Sequence, residues 1–466
     1  RHTRSLSVSW ARRCVSETGL FLLAAMGLGL FACNDNDLVE GSAPNGTQEE
    51  GTTYVGFSLK FNDPNTRATT TEDGTPAEQK INTAYVMMAD ASGNVEKIIS
   101  TSEKGTGTSN TNTDYYVIQT TPGVHYFYAV VNPDIAPTME GDGATAKTIS
   151  GYFNTGVALT VADIASTTGN GNFMMASHEV LTANVEDGVT KDEALKGTKN
   201  CFAIQVERAT AKVTMTCENT TLTSATNNGS DGTITTPKFT LKGGATKSTR
   251  MAQNPFSEIS ENAWTSTSSA TNVYVKTGDE TDLHEKATPV YCLENIHNKD
   301  AYLQKNTTYL NLQTKFVPAK VVKCDATAEN GELKVNPNAE QSTAVSFYVV
   351  NTGNLAGNYI LKSELEAFQG GEATKFPKGV ESISAEYIDG TCWFGPIWIG
   401  QTDTDKKNAP VVRNTWYNLK ITGIKLPGEP SEPQIDPEQP LTPATNVAIT
   451  LSVMPWNFID REIDLQ

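Results

Sequence analysis

The chain has 466 residues and a formal net charge of −17, which is too long for one small core and too acidic to favour a nucleic-acid partner. Thr, Gly and Asn fill the stretches between apolar runs, and Leu- or Ala-rich helical runs are few. That composition points to an all-β chain with many polar turns.

Gly19 to Ala32 is a short apolar run preceded by Arg12 and Arg13. It is too short for a comfortable membrane span and fits the apolar core of a signal peptide. Leu30-Phe31-Ala32-Cys33 resembles a bacterial lipobox, with Phe31 bulkier than usual at its position. Cys33 is therefore expected to become a lipid-modified first residue; the alternative is an ordinary signal peptide with an incidental cysteine. Asn34-Asp35-Asn36-Asp37 resembles the export signals of surface lipoproteins, and residues 1 to about 12 read as lying upstream of the true start. Glu40 to Thr53 is a polar linker.

In Tyr54 to Phe61 the apolar residues Val55, Phe57, Leu59 and Phe61 fall on every second position. This is the signature of a strand with one buried face. Asp63-Pro64-Asn65 turns the chain, and Arg67 and Ala68 follow in a polar, Thr-rich loop, where a protease would find Arg67 exposed. The bland reading of Arg67 is a surface arginine, because Arg250 also lies in a polar loop.

Strands are predicted over 82–89, 115–120 and 124–131, the last two joined by the turn Thr121-Pro122-Gly123. Asp187 to Lys199 reads as a charged loop and a domain boundary. Cys201 to Cys217 is one extended run whose apolar parity flips near Glu207-Arg208, which requires a bulge or a change of sheet. Asn219 to Thr236 reads as a loop. Strands are predicted over 273–275, 288–293, 309–317, 345–350, 383–388, 392–399 and 416–421. Leu361, Leu365 and Phe368 stand at helical spacing, with a buried strand as the alternative.

Pro427 to Pro443 is rich in Pro, Glu and Gly and shows no buried face, so it is expected to be extended and to carry the last strand outwards; the alternative is a loop wrapped round its own domain. In that last strand Val447, Ile449, Leu451 and Val453 repeat the spacing of the first.

Five cysteines, Cys201, Cys217, Cys292, Cys324 and Cys392, lie in the body, and an odd number cannot all pair within one chain. Buried unpaired thiols are the expected state for most of them. No CxxC or His-rich spacing points to zinc, and no cofactor or metal is expected. GxSxG, HExxH and phosphate-cradling Gly loops are absent, and the five histidines are not paired at ligand spacing. Trp393, Trp398, Trp416 and Trp456 are expected in core packing, with a sugar platform as the alternative. Nothing in the sequence reads as an enzyme.

Several stretches together resemble one family: Val206 to Val213, Thr288 to Asn295, Asn306 to Tyr309, Val411 to Tyr417 and Met454-Pro455-Trp456. In order and spacing they are similar to the FimA-type fimbrilins that build type V pili. The resemblance implies two transthyretin-like β-sandwiches, with a leader over 1–33, a propeptide over 34–67, sandwiches over 68–200 and 201–426, and a linker and donor tail over 427–466. It implies an outer-membrane lipoprotein anchored at Cys33 and cut after Arg67 by an Arg-specific extracellular protease. The cut would release the strand carrying Val55, Phe57, Leu59 and Phe61. The tail of a neighbouring copy, with Val447, Ile449, Leu451 and Val453, would replace it in a head-to-tail fimbrium that also contains other fimbrial subunits and supports adhesion. A tail of this kind implies a shaft subunit. The five body cysteines depart from the family's pattern. The alternatives are a tip or accessory subunit, or a surface lipoprotein that binds glycans or a host protein without polymerising.

Overall fold

Alternating apolar residues build sheets in nearly every predicted segment. The structure is a computed structural model that describes residues 51–442 and 447–455 except 62–74, 76, 101–115, 140–146, 154–160, 167–170, 218–220, 225–228, 246–247, 252–283, 286–288, 330–331 and 403. Residues Glu50–Gln466 form one compact unit. The chain is mainly β, with short helices between strands.

The first sheet has the strand order Val95–Ser100, Ala84–Ala89, Gly123–Val131, Met175–Ser177, Cys201–Arg208, Thr53–Phe61, Tyr116–Thr120, with Leu181–Val185 also paired to Gly123–Val131. One face encloses a core that includes Val55, Phe57, Ile118, Phe127, Ile204 and Val206. The helix Ile149–Phe153 covers part of the opposite face with Tyr152 and Phe153.

The second sheet runs Val290–Leu293, Thr210–Cys217, Thr415–Ile424, Thr221–Ser224, Gly229–Lys242, Tyr309–Pro318, Thr391–Trp398. Its core gathers Val213, Phe239, Leu312, Phe316, Phe394 and Leu419 among others. A third, five-stranded sheet is built on the hairpin Lys320–Glu329 and Glu332–Glu340.

The parity flip of the long run is a change of sheet. Cys201–Arg208 belongs to the first sheet and Thr210–Cys217 to the second, with Ala209 alone between them. Ile204 and Val206 therefore face one core, and Ala211, Val213 and Met215 face the other. The first sheet thus extends past the charged 187–199 stretch, which is no loose boundary: it contains the helix Lys191–Leu195.

Other expectations need correction. The 219–236 stretch carries the strand Thr221–Ser224 and the start of Gly229–Lys242, because Thr is a good strand former when half its neighbours are buried. Leu361–Phe368 is indeed helical, over Lys362–Gln369, with Leu365 buried and Gly370 closing the helix in the left-handed conformation. Of the 383–388 run only Ile383 lies in a strand, Ser382–Ile383, and a 3-10 turn follows at Ile388–Gly390. The 273–275 segment lies outside the described residues.

Candidate functional site

The first strand, Thr53–Phe61, occupies an inner position of its sheet. It runs parallel to Cys201–Val206 on one edge and antiparallel to Tyr116–Thr120 on the other. Val55 and Phe57 are fully buried, and the Phe57 ring stands 4.4 Å from that of Phe127. Leu59 is half-buried against the same core. Phe61 pairs through its backbone with Val206; its side chain, like Cys33, Arg67 and Ala68, lies outside the described residues.

The outward face of this strand is covered as well. The helix Lys191–Leu195 lies against it, and a Cβ on Gly56 would sit well inside contact distance of the Ala194 carbonyl oxygen. The helix is short but well capped: the Glu193 amide donates to Thr190 Oγ1 at 3.3 Å, and Glu193 Oε2 accepts from the Thr190 amide at 2.9 Å. The Thr190 amide and hydroxyl, both donating to Glu193 Oε2, with Lys199 in support, hold the Glu193 carboxyl down to about 2.

Asn200, at φ +46, gathers the end of the strand. Its Nδ2 donates to the carbonyls of Tyr54 (3.0 Å) and Glu186 (2.9 Å). Its carbonyl accepts from the Gly56 amide at 2.8 Å, and its Oδ1 accepts from the Glu186 amide at 2.9 Å. Thr53 adds a bond to the Glu186 carbonyl at 2.7 Å, and the Tyr54 amide donates to the Val189 carbonyl at 3.0 Å. The sequence signal for this latch is the Thr190-x-x-Glu193 spacing, which marks a helix start inside the stretch read as loop.

The last strand, Val447–Pro455, carries Val447, Ile449, Leu451 and Val453. It pairs antiparallel with Thr415–Ile424 of its own chain, and among the described residues with no other strand. Its side chains lie outside the described residues.

The stretch before it does not project outwards. Pro427 and Gly428 are buried, and Trp393 and Glu429 exchange backbone bonds of 2.8 and 2.7 Å. Glu432 pairs with Lys242 at 2.7 Å. The Trp398 Nε1 donates to the Thr442 carbonyl at 2.6 Å, and Leu441 packs with Tyr302, Tyr309 and Trp398. Prolines that cannot donate to a ladder still present carbonyls, and here these side chains and strand edges accept the segment as a wrap.

A buried polar cluster joins the two main sheets at the seam. Glu78 is fully buried; its carboxylate lies 3.1 Å from Lys212 Nζ and accepts from the Tyr291 hydroxyl, and its carbonyl accepts from Arg208 Nε at 3.2 Å. Beside it Arg250 grips Asp134 with two bonds, 2.7 and 2.9 Å, and stacks over Tyr152. Arg413 pairs with Glu294 at 2.9 Å and donates to the Arg250 carbonyl. Arg208, Arg250 and Arg413 are each no more than 2% exposed, and they are the arginines of the described residues. The polar sequence around Arg250 gives no sign that its guanidinium is buried; the loop is packed down by this ion pair.

Cys201, Cys292, Cys324 and Cys392 are free thiols. Burial pushes Cys292 up to about 12 and Cys392 to about 11, so neither is reactive. Among the described residues no group of three or more His, Cys, Asp or Glu is placed to hold a metal ion, and no helix is long and apolar enough to cross a membrane. Trp398 is buried, and Trp416 donates to Thr214 Oγ1 at 2.8 Å under the Lys212 ammonium.

The architecture is all-β, with Thr53–Phe61 as a covered inner strand and Val447–Pro455 paired, among the described residues, on one edge only. Residues 385–462, which include that edge strand, match the family model described as major fimbrial subunit protein type IV, fimbrillin, C-terminal. This is the family that the sequence resemblance names. A comparison with curated proteins finds no match. Similar solved structures include a "putative cell adhesion protein" from Parabacteroides distasonis ATCC 8503, at 15% identity over 87% of this chain and 100% of that one, with a TM-score of 0.46. A fimbrilin (fimA) from Porphyromonas gingivalis W83 has 14% identity, covering 88% and 99%, at 0.43. The tip fimbrial protein Mfa3 from Porphyromonas gingivalis has 12% identity, covering 87% and 99%, at 0.37.

Proposed function

We propose that this chain is a structural subunit of a fimbrium, exported as a lipoprotein through Cys33, cut between Arg67 and Ala68, and polymerised by strand exchange. The observation that carries the reading is the place of Thr53–Phe61: a fully formed inner strand that precedes Arg67 by six residues in the sequence. Once cut there, nothing covalent holds the strand in the body.

Its departure opens the edge of Cys201–Val206, isolates Tyr116–Thr120 and bares the pockets of Val55 and Phe57. Such a vacancy invites strand addition. Each large apolar side chain that refills it is worth about 1.5–3 kcal/mol before ordering costs. The tail strand of a second copy is the proposed occupant, with Val447, Ile449, Leu451 and Val453 taking the positions of Val55, Phe57, Leu59 and Phe61. In its own chain the tail makes one ladder, to Thr415–Ile424. In the vacated seat it would make two, as the first strand now does. The contact is head-to-tail and does not close, so a filament results.

The buried arginines support the choice of cleavage site. An Arg-specific protease must take hold of a guanidinium, and those of Arg208, Arg250 and Arg413 are inaccessible. A C-terminal strand held by one ladder favours a shaft subunit over a tip, and the cut would also free the fibre from the outer membrane. Replacement of Arg67 by Ala tests the reading: the chain should remain monomeric with its N-terminal segment intact. Fibres built from uncut R67A subunits would overturn it.

A further inference from the structure

We infer that the helix Lys191–Leu195, together with Asn200, gauges the strand that fills the seat, admitting one whose residue opposite Ala194 is glycine or, at a cost, alanine. The inference rests on the exchange reading above and assigns residues that set its specificity.

The seat has two walls. The inward wall is the apolar core, which any strand with alternating large residues satisfies. The outward wall is more selective. At Gly56 it is the Ala194 carbonyl oxygen, with Cys201 Sγ beside it. A backbone oxygen in a helix cannot rotate out of the way as a side chain can, and the Thr190–Glu193 capping box holds the turn that carries it. Asn200 then fixes the backbone leading into Gly56, on both sides of Val55, through Tyr54 O and the Gly56 amide. Ser58, next on the same face, is 5% exposed, so the wall continues past Gly56.

The tail strand meets this wall with Ala448, Thr450 and Ser452, all small, when its apolar residues are set on Val55, Phe57, Leu59 and Phe61. Ala448 then takes the place of Gly56. One methyl has to be accommodated by a shift of the helix, and a larger side chain is shut out. The seat thus favours its own first strand at this position, and the tail prevails through the rest of its contacts. The helix has to lift for exchange to proceed.

The test uses full-length protein cut at Arg67 and synthetic peptides covering residues 446–455 with Ala, Gly or Leu at position 448. The readout is loss of the first strand from the body, followed by size exclusion and mass spectrometry. The Gly peptide should displace it about tenfold faster than the Ala peptide, and the Leu peptide should fail, since overfilling a packed site typically costs about one to two decades. Equal displacement by all three overturns the gauge. In parallel, Gly56→Ala and Asn200→Ala in the uncut chain should each speed hydrogen exchange at the Tyr54 and Gly56 amides about tenfold, with Val86 and Ala129 unchanged. Wild-type exchange in both variants also overturns it. If no peptide displaces the strand while both variants loosen it, the exchange reading falls and the gauge stands as the element that holds the first strand.

Discussion

The Glu78 carboxylate accepts a 2.5 Å hydrogen bond from the Tyr291 hydroxyl and lies 3.1 Å from the Lys212 ammonium, so one buried side chain from the N-terminal half is held by two from the second sheet. Glu78 lies shortly after the proposed cut. It would keep the new N-terminal segment fixed to the seam after the first strand has left. Burial alone works against its charge, but the Tyr291 bond, Lys212 and the Thr75 amide outweigh it and hold the carboxyl below its ordinary value of 4.5. Glu78→Gln removes the carboxylate that faces the buried Lys212 ammonium, and should cost about 3 kcal/mol in urea unfolding. Because the folded value is lowered, the carboxylate's contribution is complete above about pH 4.5 and is lost as pH falls through the lowered value. E78Q should lack this acid limb; a variant that keeps the wild-type pH profile would show that the stabilisation lies elsewhere.

Arg-specific proteolysis of the native chain should cut between Arg67 and Ala68 to completion before any product ends at Arg208, Arg250 or Arg413. Peptide mapping over the digestion reads this directly. Early cleavage at Arg250 would mean that the Asp134 pair opens readily in solution. In Asp134→Ala, which leaves the Arg250 guanidinium without its two carboxylate bonds, Arg250 should become cleavable.

Phe57 fills the centre of the seat. Truncation to alanine should cost about 3–5 kcal/mol. After cleavage, the shortened strand should leave the body much faster than the wild-type strand, as followed by the released peptide. Unchanged release would mean that the Asn200 bonds alone control departure.

Deletion of residues 445–466 should leave a cooperatively folding subunit that does not polymerise. The strand removed is paired on one edge only, and Thr415–Ile424 keeps Lys212–Cys217 on its other side. Size exclusion and electron microscopy of the cut protein check this. Fibres from the truncated chain would exclude the tail as the donor.

Strand periodicity made much of the fold legible. Val55 and Phe57 read correctly because alternation and burial coincide there, and the flip between Val206 and Ala211 marked the sheet change because side-chain parity cannot switch within one flat sheet. The seam was not legible: Glu78 and Arg250 sit in polar contexts and Lys212 on the polar parity of its strand, and only tertiary pairing buries them. The wrap over Pro427–Thr442 was misread for a related reason. Its attachment is mostly through backbone groups and the carboxylates of Glu432 and Glu438, and Leu441 packs alone rather than in a repeating apolar pattern. The latch over 186–200 was hidden by its charge, although its cap was written in Thr190 and Glu193.

The passage from Cys201 to Cys217 through Ala209 has a mechanical consequence. A neighbour's tail seated beside Cys201–Val206 would lie parallel to a backbone that continues, without a turn, into the strand flanking Trp416–Ile421. Traction on such a fibre would slide whole rows of amide bonds past one another at once. It would not unzip them singly, and each joint would resist shear better than a ladder loaded one bond at a time.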